Sequence, residues 1–351
     1  VQPWLFLRLV VAHGMICCRP QLTIPIPGRS FVAIERTTSL MNTPRNHHYV
    51  PQFYLRNFAC DPEKKKIRTL AKNGDYAVWA ERSIEGLGYE RDLYVHSYGG
   101  IPVSVEDAIN YGIETPISKS DTWAKIQSGR TDTLDRSDKP VLYALVRHLE
   151  ARTPHYLATQ LELAELAAQP DSDTPFTDEE RAHYAELRAN AALTKEMFNF
   201  MSESTDWSEA AYRGSGVSVV RTAKSLRTST IPVLPIRAPE HPALRMPLPG
   251  MVPYTYNLAL NPTTMLNLVL ADFDDAFINV EQGEDFRLGM NRHLAVQFGH
   301  FPQVRHMITD ANDELVRDMA WAHYRLEKSD DQRMVFHRPA NSASSASGSG
   351  G

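Results

Sequence analysis

The sequence predicts an α+β fold, helix-rich in its N-terminal half with a small antiparallel sheet in its C-terminal half. Three observations carry that prediction. Apolar residues recur at helical spacing from Val105 to Leu149. After Gly214 the composition turns β-prone, in Val217 to Val220, Ile231 to Ile236 and the pair Tyr254 to Leu260 and Met265 to Leu270. Between those runs, Pro232 to Pro253 holds seven prolines and reads as an extended, irregular excursion.

The elements follow in order. Asn46 to Phe58 packs two adjacent histidines, a proline, several aromatics and an arginine into one stretch; Pro51 suits the first turn of a short helix, and Asp61-Pro62 stops it. Ile67 to Val78 reads as two strands joined at Asn73-Gly74. From a Ser104 N-cap, Val105, Ile109, Ile113 and Ile117 form one helix stripe and Glu106, Asn110 and Glu114 another, with a kink expected at Pro116. A long helix starts at Asp138-Lys139-Pro140 and buries Val141, Leu142, Leu145 and Leu149; Thr153-Pro154 breaks it and opens the next, through Ala168. Thr177 with Glu180 makes a capping box for a helix carrying Tyr184, Leu187, Phe198 and Met201. A hairpin turns at Asn261 to Thr264, and helices near 284–299 and 312–328 close the domain.

Hydrophobic content of 42% with 23% charged residues suits a soluble globular protein with a sizeable core. A net charge of −5 argues against a strongly basic nucleic-acid surface, though not against a small basic pocket. Cys17, Cys18 and Cys60 lack metal or disulfide spacing, which fits a reducing cytoplasm. The apolar run near Trp4 is too short to span a bilayer, so no membrane partner is expected. Residues 1–40 read as a non-native or disordered extension before Met41, 41–340 as one domain, and 341–351 as a flexible Ser/Gly tail.

Chemistry points first to His47 and His48. Neighbouring side chains on an extended segment face opposite ways, so the two do not readily share one metal. One reading makes His48 a general base or metal ligand; the other makes the pair a structural lock. The phrase resembles the His-His turn of ββα-metal nucleases, but the further Asn and His those enzymes need are incomplete here, Asn57 standing alone. Arg152, beside the Thr153-capped helix start, is a candidate phosphate or carboxylate donor, or alternatively a brace against Glu106 or Glu114. Arg147 joins it only if the break bends that way. Glu106, Glu114 and Asp121 are candidate carboxylates, and Asp272, Asp274 and Asp275 carry little weight.

His47-His48-Tyr49-Val50-Pro51-Gln52-Phe53-Tyr54-Leu55-Arg56-Asn57-Phe58 resembles the opening signature of the bacterial proteins grouped as domain of unknown function (DUF) 4238. Arg152-Thr153-Pro154 resembles that family's helix break. Ile84 to Tyr94, Leu258 to Pro262 and Asn291 to Phe298 are similar to its other segments. The family tends to carry Thr-Ser-Asp before a Pro-Val strand, where this chain has Thr228-Ser229-Thr230; if the Asp acts, this copy is altered or inactive. The resemblance implies a domain and no established activity. Its bacterial setting is the sole basis for a role in a defence or toxin system.

Two functions therefore stand side by side. One is a metal-assisted phosphodiesterase or nuclease with His48 and Arg152 as catalytic residues, His47, Tyr49, Arg147 and Glu114 in binding roles, a divalent metal of unknown identity and a phosphate-bearing or other anionic ligand. The other is a noncatalytic ligand-binding or interaction protein in which the His-His-Tyr-Val-Pro segment is a lock.

Overall fold

A computed structural model describes residues 45–98, 101–169, 177–189, 209–237, 254–270, 276–310 and 312–339. Its strands are β1 (Asn46–His48), β2 (Lys66–Asn73), β3 (Tyr76–Ser83), β4 (Tyr89–Arg91), β5 (Val95–Tyr98), β6 (Ile101–Ser104), β7 (Ser215–Arg221), β8 (Thr228–Ser229), β9 (Val233–Arg237), β10 (Tyr254–Asn261), β11 (Thr264–Leu270), β12 (Phe277–Glu281), β13 (His306–Ile308), β14 (Arg325–Asp330) and β15 (Arg333–His337). A six-stranded sheet runs β14-β15-β3-β2-β13-β8, a five-stranded sheet runs β12-β7-β11-β10-β9, and β1-β4 and β5-β6 form two-stranded ribbons.

This corrects the expected fold class. The sheet content is neither small nor confined to the C-terminal half, because the largest sheet is founded on the β2–β3 hairpin. That hairpin turns at Asn73-Gly74 as its residues predict, with Gly74 at φ 61°. Its flanking strands come from far away: β13 lays Ile308 against Thr69, β15 lays Phe336 against Ala77, and β8 lays Thr228 against Ile308. Strands of two or three residues leave no periodic trace, so local pattern cannot announce this sheet.

The C-terminal expectation also changes. The last helix ends at Trp321 rather than running to 328. His323 takes a left-handed φ of 62°, and the chain continues into the β14–β15 hairpin. All of β14 is exposed, and Arg325, Glu327, Lys328 and Asp330 charge that edge, which discourages strand-on-strand pairing. In the five-stranded sheet β10–β11 is the expected hairpin, and β12 joins β7 in parallel.

Helices cover these sheets. Lys139–Ala151 buries Leu142, Leu145 and Leu149, and Thr153 caps Pro154–Ala167 by accepting from the Tyr156 N–H. The 106–118 segment departs from a regular helix: α-helical turns at Glu106–Ile109 and Thr115–Ser118 flank a π-helical turn at Asn110–Glu114. The physical reason lies in the four-residue spacing. At 3.6 residues per turn, eight residues overshoot two turns by about 80°. The wider π turn takes up overshoot, so Ile109, Ile113 and Ile117 are all buried while Glu106 and Glu114 face one common cluster. Pro116 sits in the first turn of the second α-helical piece. The extension at 1–40, the tail at 341–351, most of the proline-rich excursion, and Phe198 and Met201 lie outside the described residues.

A buried ionic network fastens the C-terminal helices to the segment before β8. Arg227 Nη1 donates to Asp318 Oδ2 at 2.6 Å and its Nε to Thr309 Oγ1 at 3.0 Å, with both charged side chains at most 2% exposed. Asn291 Oδ1 accepts from the Arg227 N–H at 2.9 Å, and Arg287 makes two 2.7 Å bonds to Glu314. Removing one member strands the other charge. Arg227→Met is expected to lower unfolding free energy by about 3–5 kcal/mol. Adding Asp318→Leu should recover part of that loss, and urea unfolding of the single and double variants measures the coupling.

Candidate functional site

The site begins at β1, whose register sets His47 opposite Glu90 and His48 opposite Tyr89. Strand alternation sends His47 fully inward and leaves His48 half-buried. The Tyr49 and Val50 N–H groups both donate to the Gly88 carbonyl, at 2.7 and 3.1 Å. Gly88 has φ 62°, and a Cβ there would lie 2.7 Å from Val50 Cβ, so any larger residue would force the two strands apart. Pro51 then takes the N-cap position of Gln52–Leu55, one place before the expected first turn.

Nearly every side chain of the motif is bonded into the fold. The Tyr49 hydroxyl pairs with Thr230. The Tyr54 hydroxyl donates to Ala259 O at 2.8 Å and shares a 2.7 Å bond with Thr228 Oγ1. Asn57 donates to Leu260 O at 2.9 Å, and Phe53 packs edge-on against Trp123 with centroids 4.9 Å apart. The segment thus reaches β8, β10 and the Asp121–Gln127 helix at once.

Beneath it lies a buried polar cluster. His47 Nδ1 accepts from the Tyr94 N–H at 2.9 Å, so the ring proton sits on Nε2, facing Glu106 Oε2 at 3.6 Å. The His47 and Tyr94 rings stack at 5.7 Å, 7° from parallel. Glu106 also accepts from the His48 N–H; burial raises its carboxyl pKa, with that bond and Arg152 opposing. Arg152, only 1% exposed, donates from Nη1 to Glu114 and to His148 Nε2 (2.9 Å), from Nη2 to the His48 carbonyl, and from Nε to the Tyr94 hydroxyl (3.1 Å). The Tyr94 hydroxyl returns a bond to Arg152 O at 2.8 Å, and burial pushes it up to about 12. His48, Glu114 and Arg152 therefore meet, though Arg152 holds the His48 backbone and not its imidazole.

The other predicted residues make different contacts. Arg147 pairs with Glu150 three residues on and sits over the Tyr256 ring at 5.8 Å. Tyr49 points toward Thr230, which also accepts from the His306 N–H at 3.2 Å. Asp121 is an exposed residue in the first turn of its helix, and Asp272, Asp274 and Asp275 lie outside the described residues.

Sequence reasoning gave no role to His148, Tyr94 or Gln52. His148 sits one turn before Arg152 on one helix, and that four-residue spacing was a readable sign. Gln52 donates to His48 Nε2 at 3.2 Å, while His48 Nδ1 donates to Leu87 O at 3.2 Å. Burial lowers the His48 pKa and Arg152 reinforces it, against the Leu87 bond and Glu85. The lone pairs of His47, His148 and His48 are engaged by a backbone N–H, by Arg152 and by the partly buried Gln52 side chain. Among the described residues no three His, Cys, Asp or Glu side chains form a group that could hold a metal ion.

Burial holds His148 at about 3 and His155 at about 4. Both are neutral in the folded chain, whereas an unfolded histidine takes up a proton below about 6.5. Stability is therefore complete above that value and falls as pH drops from about 6.5 toward 4. Each residue should remove about 1.4 kcal/mol between pH 7.5 and 5.5. Glu106 and Glu150, both raised by burial, offset part of the loss by taking protons in the folded state. Urea midpoints across that range check the slope, and His155→Phe should flatten it.

The cluster's elements also carry the relationship to other proteins. Residues 46–233 match the family model described as "Protein of unknown function (DUF4238)", just over half of the chain. The match opens at the first residue of β1 and takes in Arg152 and Thr230. No curated protein and no solved structure matches the chain. The chain belongs to the DUF4238 family.

Proposed function

We propose that this protein is a noncatalytic ligand-binding or interaction protein in which the 46–58 segment is a structural lock. The observation that carries this reading is the state of Arg152. Its guanidinium is buried, and its Nε, Nη1 and Nη2 are all engaged by Tyr94, Glu114, His148 and the His48 carbonyl. An arginine so occupied has little left for a phosphate. The lone pairs of His47 and His148 are similarly engaged. Binding then falls to what the lock exposes.

The rival reading, a metal-assisted nuclease using His48 and Arg152, draws no support from Arg152, whose donors are already engaged within the fold. Thr230 adds to this: it serves its bonds to Tyr49 and His306 as an uncharged hydroxyl.

The deciding experiment pairs stability with activity. Arg152→Met is expected to cost about 3–5 kcal/mol of unfolding free energy, because Glu114 loses its buried partner. His48→Gln, which keeps the backbone carbonyl used by Arg152, should cost less than about 1.5 kcal/mol. Plasmid DNA and structured RNA should stay intact with the parent chain in magnesium, manganese or zinc. Cleavage by the parent that vanishes in folded His48→Gln would establish the nuclease instead.

A further inference from the structure

Along the outer face of the lock runs one chain of hydrogen bonds. Arg56 Nη2 donates to Gln52 Oε1 at 3.4 Å, Gln52 Nε2 to His48 Nε2 at 3.2 Å, and His48 Nδ1 to Leu87 O at 3.2 Å. Its direction is forced. Leu87 O can only accept, so the His48 proton lies on Nδ1 and Nε2 offers a lone pair. Gln52 must then turn its NH₂ to the imidazole and its oxygen to Arg56.

Three features make this strip more than a braced surface. Arg56 is exposed, and among the described residues its one side-chain bond is at the weak end of the distance range. Most of a five-donor fork therefore faces solvent. Gln52 carries a second N–H. Tyr89 stands edge-on to His48 at 5.8 Å with 36% of its surface open, walling one side.

We propose that Arg56, Gln52 and His48, with Tyr89 as a wall, form a binding site for an oxyanion, a phosphate or a carboxylate. The proposal rests on the lock reading, since the lock holds the strip in place, and it names the ligand class. Arg56 supplies the bidentate donor. Gln52 swings its amide N–H from His48 to the ligand, and His48 takes a proton from solution at Nε2 and donates it to the anion. Glu85 and Arg152 are the charged groups that bear on that imidazole; both remain in place, so the incoming anion is the new charge.

The test follows the His48 imidazole by NMR in the full chain, with His48→Gln to assign its signals. Inorganic phosphate and acetate are titrated separately at fixed ionic strength. Saturable movement is expected, with binding several-fold tighter near pH 5.5 than near pH 8; because burial lowers the free His48 pKa below its ordinary value, a one-unit rise on binding supplies at most about sevenfold over that range. A response to phosphate alone assigns a phosphate site, and a response to both a general oxyanion site. Arg56→Ala, which lies outside the buried cluster, should abolish saturation while leaving the unfolding midpoint unchanged. No saturable movement with either anion, or saturation equal in Arg56→Ala, overturns the proposal. Failure of the lock reading would appear separately, as an Arg152→Met chain with unaltered stability.

Discussion

A buried guanidinium without acceptors cannot persist, and much of this architecture follows from accommodating one. Arg152 ends the Lys139–Ala151 helix and gathers acceptors from three other parts of the chain: the His48 carbonyl on β1, Glu114 from the π turn, and the Tyr94 hydroxyl. Each partner is itself held. His47 and Tyr94 stack, Glu106 takes the His48 N–H, and Gly88 lets β4 close onto Val50. The charge thereby converts a helix end into a junction where four segments must arrive together.

How much of this was legible varied with the range of the interaction. The helix starts at Thr153 and Lys139, the Asn73-Gly74 turn and the β10–β11 hairpin all rest on neighbours in sequence, and all were found. The opposite facing of His47 and His48 follows from strand alternation alone. The six-stranded sheet was missed because the pairings that flank its β2–β3 hairpin join segments far apart in sequence, and β8 and β13 are too short to alternate. The β14–β15 hairpin was hidden by an apparent helix whose end depends on one left-handed residue, His323.

The candidate site was half visible. Its unusual residues drew notice, but identity does not reveal satisfaction: Arg152 as a phosphate donor and Arg152 as a brace look alike in one dimension. The π turn at Asn110–Glu114 left no distinct trace, because Val105, Ile109, Ile113 and Ile117 at four-residue steps also suit the apolar face of a regular helix. That turn is what lets Glu106 and Glu114 serve His47 and Arg152 from one side.

The order β14-β15-β3-β2-β13-β8 also has a consequence for how the chain is made. During synthesis the β2–β3 hairpin emerges early, yet the strands that cover its two edges are encoded beyond residue 300. At about 5–20 residues per second, both edges stay bare for on the order of ten seconds or more. Vectorial folding cannot complete this sheet, and long-range closure will set the pace of maturation. An organism producing the protein must shield a nascent hairpin through that interval, which makes expression yield sensitive to chaperone supply and temperature even where the finished fold is stable.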